Sequence, residues 1–308
     1  MIGKGSKKMP IVYSDSYYVE IGDHVFPTSK YKIIKERLDL DVSLKNKYEI
    51  VAPITATEEQ VLTVHTPEYI GKLKNGTLDT EEIFTLELPY SEALVEASFM
   101  TCGGTITAAR KALEVKASVH LGGGFHHAFP DHGEGFCVLN DVAVSIKALQ
   151  SEGFIKKALV VDCDLHQGNG TAFIFKNDPN VYTFSIHQQN NYPFHKPESD
   201  MDIGLRDFTD DDIYLKHLHD NVPDIITAHK PDLIIYVAGA DPYKDDQLGN
   251  LMLTKNGLRK RDNFVLTQAH NFGIPVAVTL AGGYAYNRED TVDIHYGTIK
   301  ECIEVFAR

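Results

Sequence analysis

The stretch ALVVDCDLHQGN, residues 158–169, decides the fold. Its first half is a short run of apolar residues in succession rather than alternation. That is the pattern of a strand covered on both faces. Its second half turns at once to carboxylates, an imidazole and an amide. Four further runs, 117–121, 181–186, 233–237 and 276–280, are built the same way and lead into Gly, Asp or His. Segments with helical spacing lie between them. Residues 140–149 carry Val142, Ile146 and Leu149; 211–228 carry Leu215, Leu218, Val222, Ile225 and Ile226; 258–272 carry Phe264, Val265 and Ala269. The N-terminal third, with 29–38 and 92–113, reads as mostly helical. Strand and helix in alternation predict an α/β protein, a parallel β-sheet with helices on both faces.

The chain has 308 residues and is 43% hydrophobic, enough for one large core. No Pro/Ser-rich linker, block of like charge or internal repeat interrupts it, so residues 1–308 read as a single domain. The formal net charge is −13. The longest basic run is Lys7-Lys8, so direct binding of nucleic acid is not expected. An acidic surface suits a cationic substrate such as a lysine-rich peptide or a polyamine, and solubility alone also accounts for it. Cys102, Cys137, Cys163 and Cys302 are too dispersed for a zinc ribbon or a redox pair. Residues 1–10 lack the apolar core of a signal peptide, and no run has the length of a membrane span. A cytoplasmic location with free thiols follows as the expectation.

In open parallel sheets, sites form beyond the carboxyl ends of the strands. Four of the runs are followed by unusual polar clusters: Gly122-Gly123-Gly124-Phe125-His126-His127, Asp162-Cys163-Asp164-Leu165-His166, Gly239-Ala240-Asp241 and Gly282-Gly283-Tyr284. Asp164 and His166 are two apart on an extended segment and lean to one side. With Asp241 they make a three-ligand set with one position open, the pattern of a catalytic zinc site. Iron(II) or manganese suits the same donors. An isolated Asp-x-His is more often a helix cap or an ion-pair partner; the histidine pair and Asp241 at other strand ends favour the metal. A histidine beside a metal-activated water serves as general base and then acid. Asp162 and Asn169 flank the ligand pair as candidate partners for His126 and His127. The charged partner would leave one histidine more basic than the other. Tyr284 follows two glycines, which lets its phenol project over the site and donate to an oxyanion, although Gly-Gly-Tyr by itself reads as a turn.

Together, HLGGGFHHAFPDHGEGFCVLND, VVDCDLHQGNGT, FSIH, AGADPYKDDQLGNL and LAGGY resemble the histone deacetylase family and its acetylpolyamine-amidohydrolase relatives, from about Phe26 to the C-terminus. The HQGNG and DPYKDDQLGNL passages look like the class IV branch and its bacterial relatives. The resemblance implies the arginase–deacetylase fold and zinc on Asp164, His166 and Asp241. It makes His127 the general base and acid, His126 an electrostatic helper, and Tyr284 the transition-state tyrosine. Asp162 would bond His126, and Asn169 would bond His127. Class I members carry Asp where Asn169 stands, which implies a less basic second histidine.

The same resemblance puts Gly135 and Phe136 in the wall of a narrow acyl-lysine tunnel. The opposite wall falls to Tyr192, with Phe194 as the alternative. Leu248 occupies the rim position where polyamine-specific relatives often carry an acidic residue. A structural potassium ion would take oxygens from Asp162, Asp164, His166, Ser185 and Ile186. The expected function is removal of acyl groups from the lysine side-chain amine of proteins or peptides. Rival expectations are a polyamine or small-molecule amide hydrolase, an arginase-like two-metal enzyme and a non-catalytic acyl-lysine reader.

Overall fold

The computed structural model describes residues 8–306; Lys7 and the residues before it lie outside that range. Eight strands are present among the described residues: β1 (Met9–Val12), β2 (Tyr48–Val51), β3 (Ala117–His120), β4 (Ala158–Asp162), β5 (Val181–Gln188), β6 (Met201–Leu205), β7 (Leu233–Val237) and β8 (Val276–Thr279). They form one sheet in the order β2-β1-β3-β8-β7-β4-β5-β6. Every pairing is parallel. Helices cover both faces, as the sequence pattern predicts.

The five strands expected from sequence are β3, β8, β7, β4 and β5, five consecutive members of the sheet. Each is buried along nearly its whole length. The three that sequence patterning did not reveal lie toward the two edges. β2 and β6 are half exposed, and β1 spans only four residues and includes Pro10.

Register does the work of convergence. His120 pairs with Thr279, Thr279 with Val237, Val237 with Asp162, and Asp162 with Ser185. β3, β8, β7 and β4 therefore end on one line across the sheet, β5 runs on beside them to Gln188, and the polar extensions of the four leave at the same level. The helix Glu92–Val115 packs beneath β1, β3 and β8. Asp211–His229 and Lys255–Phe272 pack on each other; Asp210 and Thr254 cap their first turns through the amides of Ile213 and Gly257. Among the described residues, no helix is long and apolar enough to cross a membrane.

Candidate active site

The loop after β4 carries Asp164 and His166, and the loop after β7 carries Asp241. The three side chains are buried and meet as the one cluster of metal-ligating type among the described residues. His166 Nδ1 lies 3.3 Å from Asp164 Oδ1 and 3.4 Å from Asp241 Oδ2. Ligands about 2.0–2.1 Å from one tetrahedral ion stand about 3.4 Å from each other, so the spacing fits a single cation. The other oxygens are already engaged: Asp164 Oδ2 accepts from Gly282 N at 3.0 Å and Asp241 Oδ1 from Leu165 N at 3.0 Å. Asp241 Oδ2 is buried with no hydrogen-bond partner, the condition of an oxygen waiting for an electrophile.

Electrostatics say the same. Burial, then the Asp164 charge beside it, raises Asp241 to about 6. Burial disfavours a charged His166, yet the two carboxylates overcome it and raise the ring to about 10. A lone pair that holds a proton so firmly also attracts a metal ion, which replaces that proton.

His126 and His127 leave the β3 end side by side, their Nε2 atoms 3.1 Å apart. His126 Nδ1 donates to Asp162 Oδ2 at 2.7 Å, and His127 Nδ1 lies 2.7 Å from Asn169 Oδ1. The partners differ in charge, and so do the rings. Burial opposes a charged His126, but Asp162 and Asp164 outweigh it and lift the ring to about 9. Burial, then the neighbouring His126 and His166, pushes His127 well below the usual imidazole range. The surroundings of His126 thus favour its charged form, and those of His127 its neutral form.

Tyr284 follows Gly282-Gly283 on the β8 loop. Its backbone N–H donates to Asp246 Oδ2 at 2.7 Å, and its ring stands edge-on to Phe136 at 5.9 Å. Burial, then the Asp241 and Asp164 charges, pushes the phenol well above its ordinary value, so it remains a donor.

Gly135 adopts φ +51°, and a Cβ there would stand 2.7 Å from the Tyr192 hydroxyl and 3.0 Å from His127 Cδ2. Only glycine fits that turn, which sets Phe136 beside the site. Tyr192 faces inward, its ring edge-on to His127 at 5.1 Å and to His166 at 6.0 Å. Phe194 is fully exposed, so the inner aromatic of that loop is Tyr192. Leu248 is half-buried and tied to the same loop, its carbonyl accepting from Asn191 Nδ2 at 2.8 Å. An apolar cavity behind this wall is bordered by Phe26, Leu88, Phe125, Phe136 and Leu139. Of the residues that the resemblance assigns to a potassium ion, Asp162 and Ser185 pair across β4 and β5, next to Ile186; Ser185 Oγ lies 2.9 Å from His187 Nδ1.

Four supporting residues escaped sequence reasoning. Arg261, on the helix Lys255–Phe272, is fully buried and donates from Nη1 to Cys163 O (3.1 Å) and Gly239 O (2.7 Å), joining the two ligand loops. Asp246 accepts from Tyr284 N and from Leu248 N at 2.9 Å. Lys30 is buried and donates to Ala281 O at 2.6 Å; burial lowers it to about 8 against the pull of Asp241, Asp164 and Asp246. Glu134 accepts from Asn169 Nδ2 and from the Tyr192 hydroxyl, each at 2.8 Å. Asp246 and Glu134 lie inside the motifs read from sequence, where a second acidic residue offers a signal. Arg261 and Lys30 lie in helices with nothing local to mark them.

A family model for the histone deacetylase domain matches residues 24–296. The chain belongs to the histone deacetylase family. It is accordingly a hydrolase of the deacetylase and amidohydrolase type. An uncharacterized protein of Picosynechococcus sp. is 39% identical over 93% of this chain and 95% of its own length. Histone deacetylase 2 of Arabidopsis thaliana is 31% identical, covering 90% of this chain and 75% of that protein. The acetoin utilization protein AcuC of Bacillus subtilis is 31% identical over 88% and 76% respectively. Among solved structures, the HDA15 HD domain superposes with a TM-score of 0.78 over 97% of this chain and 90% of that one, at 22% identity, a likeness of fold.

Proposed function

We propose that this family member is a zinc-dependent hydrolase that removes acyl groups from the side-chain amine of lysine in proteins or peptides. The observation that carries the reading is the paired His126 and His127, each held by its own partner, beside a buried three-ligand cluster, with Tyr284 on the adjoining loop. Asp164, His166 and Asp241 would hold the ion. Bound there, zinc supplies a Lewis acid that polarises the acyl carbonyl and acidifies water.

The chain's own groups do the rest. His127 takes a proton from the water as its oxygen attacks the carbonyl carbon. The Tyr284 hydroxyl donates to the oxygen that gains negative charge. The carbon–nitrogen bond then breaks, and His127 returns its proton to the departing lysine amine. The charged His126, held by Asp162, favours the negative charge that develops nearby. The rings of Phe136 and Tyr192 give apolar walls suited to a methylene stem. Leu248 leaves the rim without a carboxylate at that position, which favours a peptide over a second cationic amine. The same oxygens named for potassium, from Asp162, Asp164, His166, Ser185 and Ile186, would fix the ligand loop.

The experiment is a side-by-side assay of acetyl-, butyryl-, octanoyl- and myristoyl-lysine peptides against acetylspermidine, with zinc and with iron(II). Preferred hydrolysis of one or more of the peptides is the expected result. Turnover of acetylspermidine alone would make the enzyme a polyamine hydrolase.

A further inference from the structure

We propose that Glu134 is a positioning residue that selects, through Asn169, which nitrogen of His127 carries the proton, and that joins this choice to the tunnel wall through Tyr192. The inference rests on the reading of His127 as the base.

A carboxylate only accepts hydrogen bonds. Glu134 Oε1 lies 2.8 Å from Asn169 Nδ2 and 2.8 Å from the Tyr192 hydroxyl, so both of those groups donate. An amide has a donor end and an acceptor end. With its nitrogen turned to Glu134, Asn169 must turn its oxygen to His127, and Oδ1 stands 2.7 Å from Nδ1. That oxygen only accepts, so Nδ1 carries the hydrogen and Nε2, 3.1 Å from His126 Nε2, keeps its lone pair. The opposite amide orientation would present NH2 to Nδ1, move the hydrogen to Nε2 and leave His127 with no lone pair to use. Nothing in the amide itself prefers one orientation; the carboxylate behind it favours this one, in step with His126, whose Nε2 lies 3.1 Å from His127 Nε2.

Glu134 is held for that task. Its backbone exchanges hydrogen bonds with Cys137, at 3.1 and 2.9 Å, while Gly135 N and Phe136 N bond Thr85 O and Leu86 O. The turn cannot slide, because a side chain at position 135 would strike Tyr192 and His127.

Three single variants and one double variant test this. Glu134→Ala is expected to lower kcat about 10- to 100-fold, the range for losing an outer hydrogen-bond partner of a site histidine. Glu134→Gln keeps an acceptor oxygen and is expected to retain most of the turnover. Asn169→Asp sets two carboxylates against each other and loses turnover, and adding Glu134→Gln to it is expected to recover much of that loss. A substitution that costs little in one background thus repairs the other. The second readout is nitrogen-15 NMR of ring-labelled histidine in the zinc-supplemented protein, in which His127 carries its hydrogen on Nδ1 in the parent and on a mixture of nitrogens in Glu134→Ala. Equal losses in Glu134→Ala and Glu134→Gln, purely additive losses in the double variant, or an unchanged His127 tautomer in Glu134→Ala would overturn the proposal. A parent protein inactive on acyl-lysine peptides counts against the proposed substrate, while the tautomer measurement still decides this inference.

Discussion

Replacing Gly282 with alanine places one methyl group against the ligand cluster. A Cβ at 282 would stand 2.1 Å from Asp241 Oδ2 and 2.8 Å from Asp164 Oδ2. Ordinary contact begins at 3.4 Å, so Asp241 Oδ2 must retreat by about 1.3 Å, the difference between 3.4 and 2.1 Å. The backbone at 282 is not in the left-handed region, so alanine itself is permitted there and the cost falls on the carboxylates. Metal–ligand distances hold to within about 0.2 Å, so such a displacement removes Asp241 from the ion. Losing an outer partner already weakens metal binding about 10- to 100-fold, and losing a ligand exceeds that. The zinc Kd should therefore rise more than about 100-fold, that is by more than about 2.8 kcal/mol at 1.4 kcal/mol per decade. The assay is competition against a fluorescent zinc chelator, with near-ultraviolet circular dichroism to verify the fold. A folded Gly282→Ala protein that binds zinc as tightly as the parent would refute the reasoning.

Other consequences are as direct. Tyr284→Phe keeps the ring packing and the metal but lowers kcat/KM about 10²- to 10³-fold, measured on an acyl-lysine peptide beside zinc content. His166, raised to about 10 without metal, is protonated at neutral pH and must release that proton when zinc binds. Raising the pH removes the competitor, so the apparent zinc Kd should fall about tenfold per pH unit below that value. The dependence steepens below about 6, where Asp241 takes a proton as well; a flat or reversed profile in buffered titrations contradicts the assignment. Arg261→Met leaves Asp262 buried without its cation and should cost about 3–5 kcal/mol in chemical unfolding, with weaker zinc binding as the two ligand loops part.

The inner strands were legible because residues buried on both faces leave continuous apolar runs, as at 158–161 and 233–237. The site was legible because each strand runs straight into its functional residues, so local motifs and three-dimensional neighbours coincide. β2 and β6 were not, since Tyr48–Val51 and Met201–Leu205 are half exposed and write no continuous apolar run. What sequence could not show is which group stands behind each site residue. Glu134 reaches Asn169 across 35 positions, and Arg261 reaches Cys163 across 98. Such contacts depend on how helices seat on the sheet, which no local pattern records. Tyr192 was the sequence choice over Phe194, two residues on, and the loop does turn Tyr192 inward and Phe194 out to solvent.

The most direct test of the account is hydrolysis of an acyl-lysine peptide by protein stripped with chelator and then titrated with zinc. Activity should vanish on stripping and return in full at one zinc per chain. Undiminished turnover by the metal-free protein would contradict the role given to Asp164, His166 and Asp241.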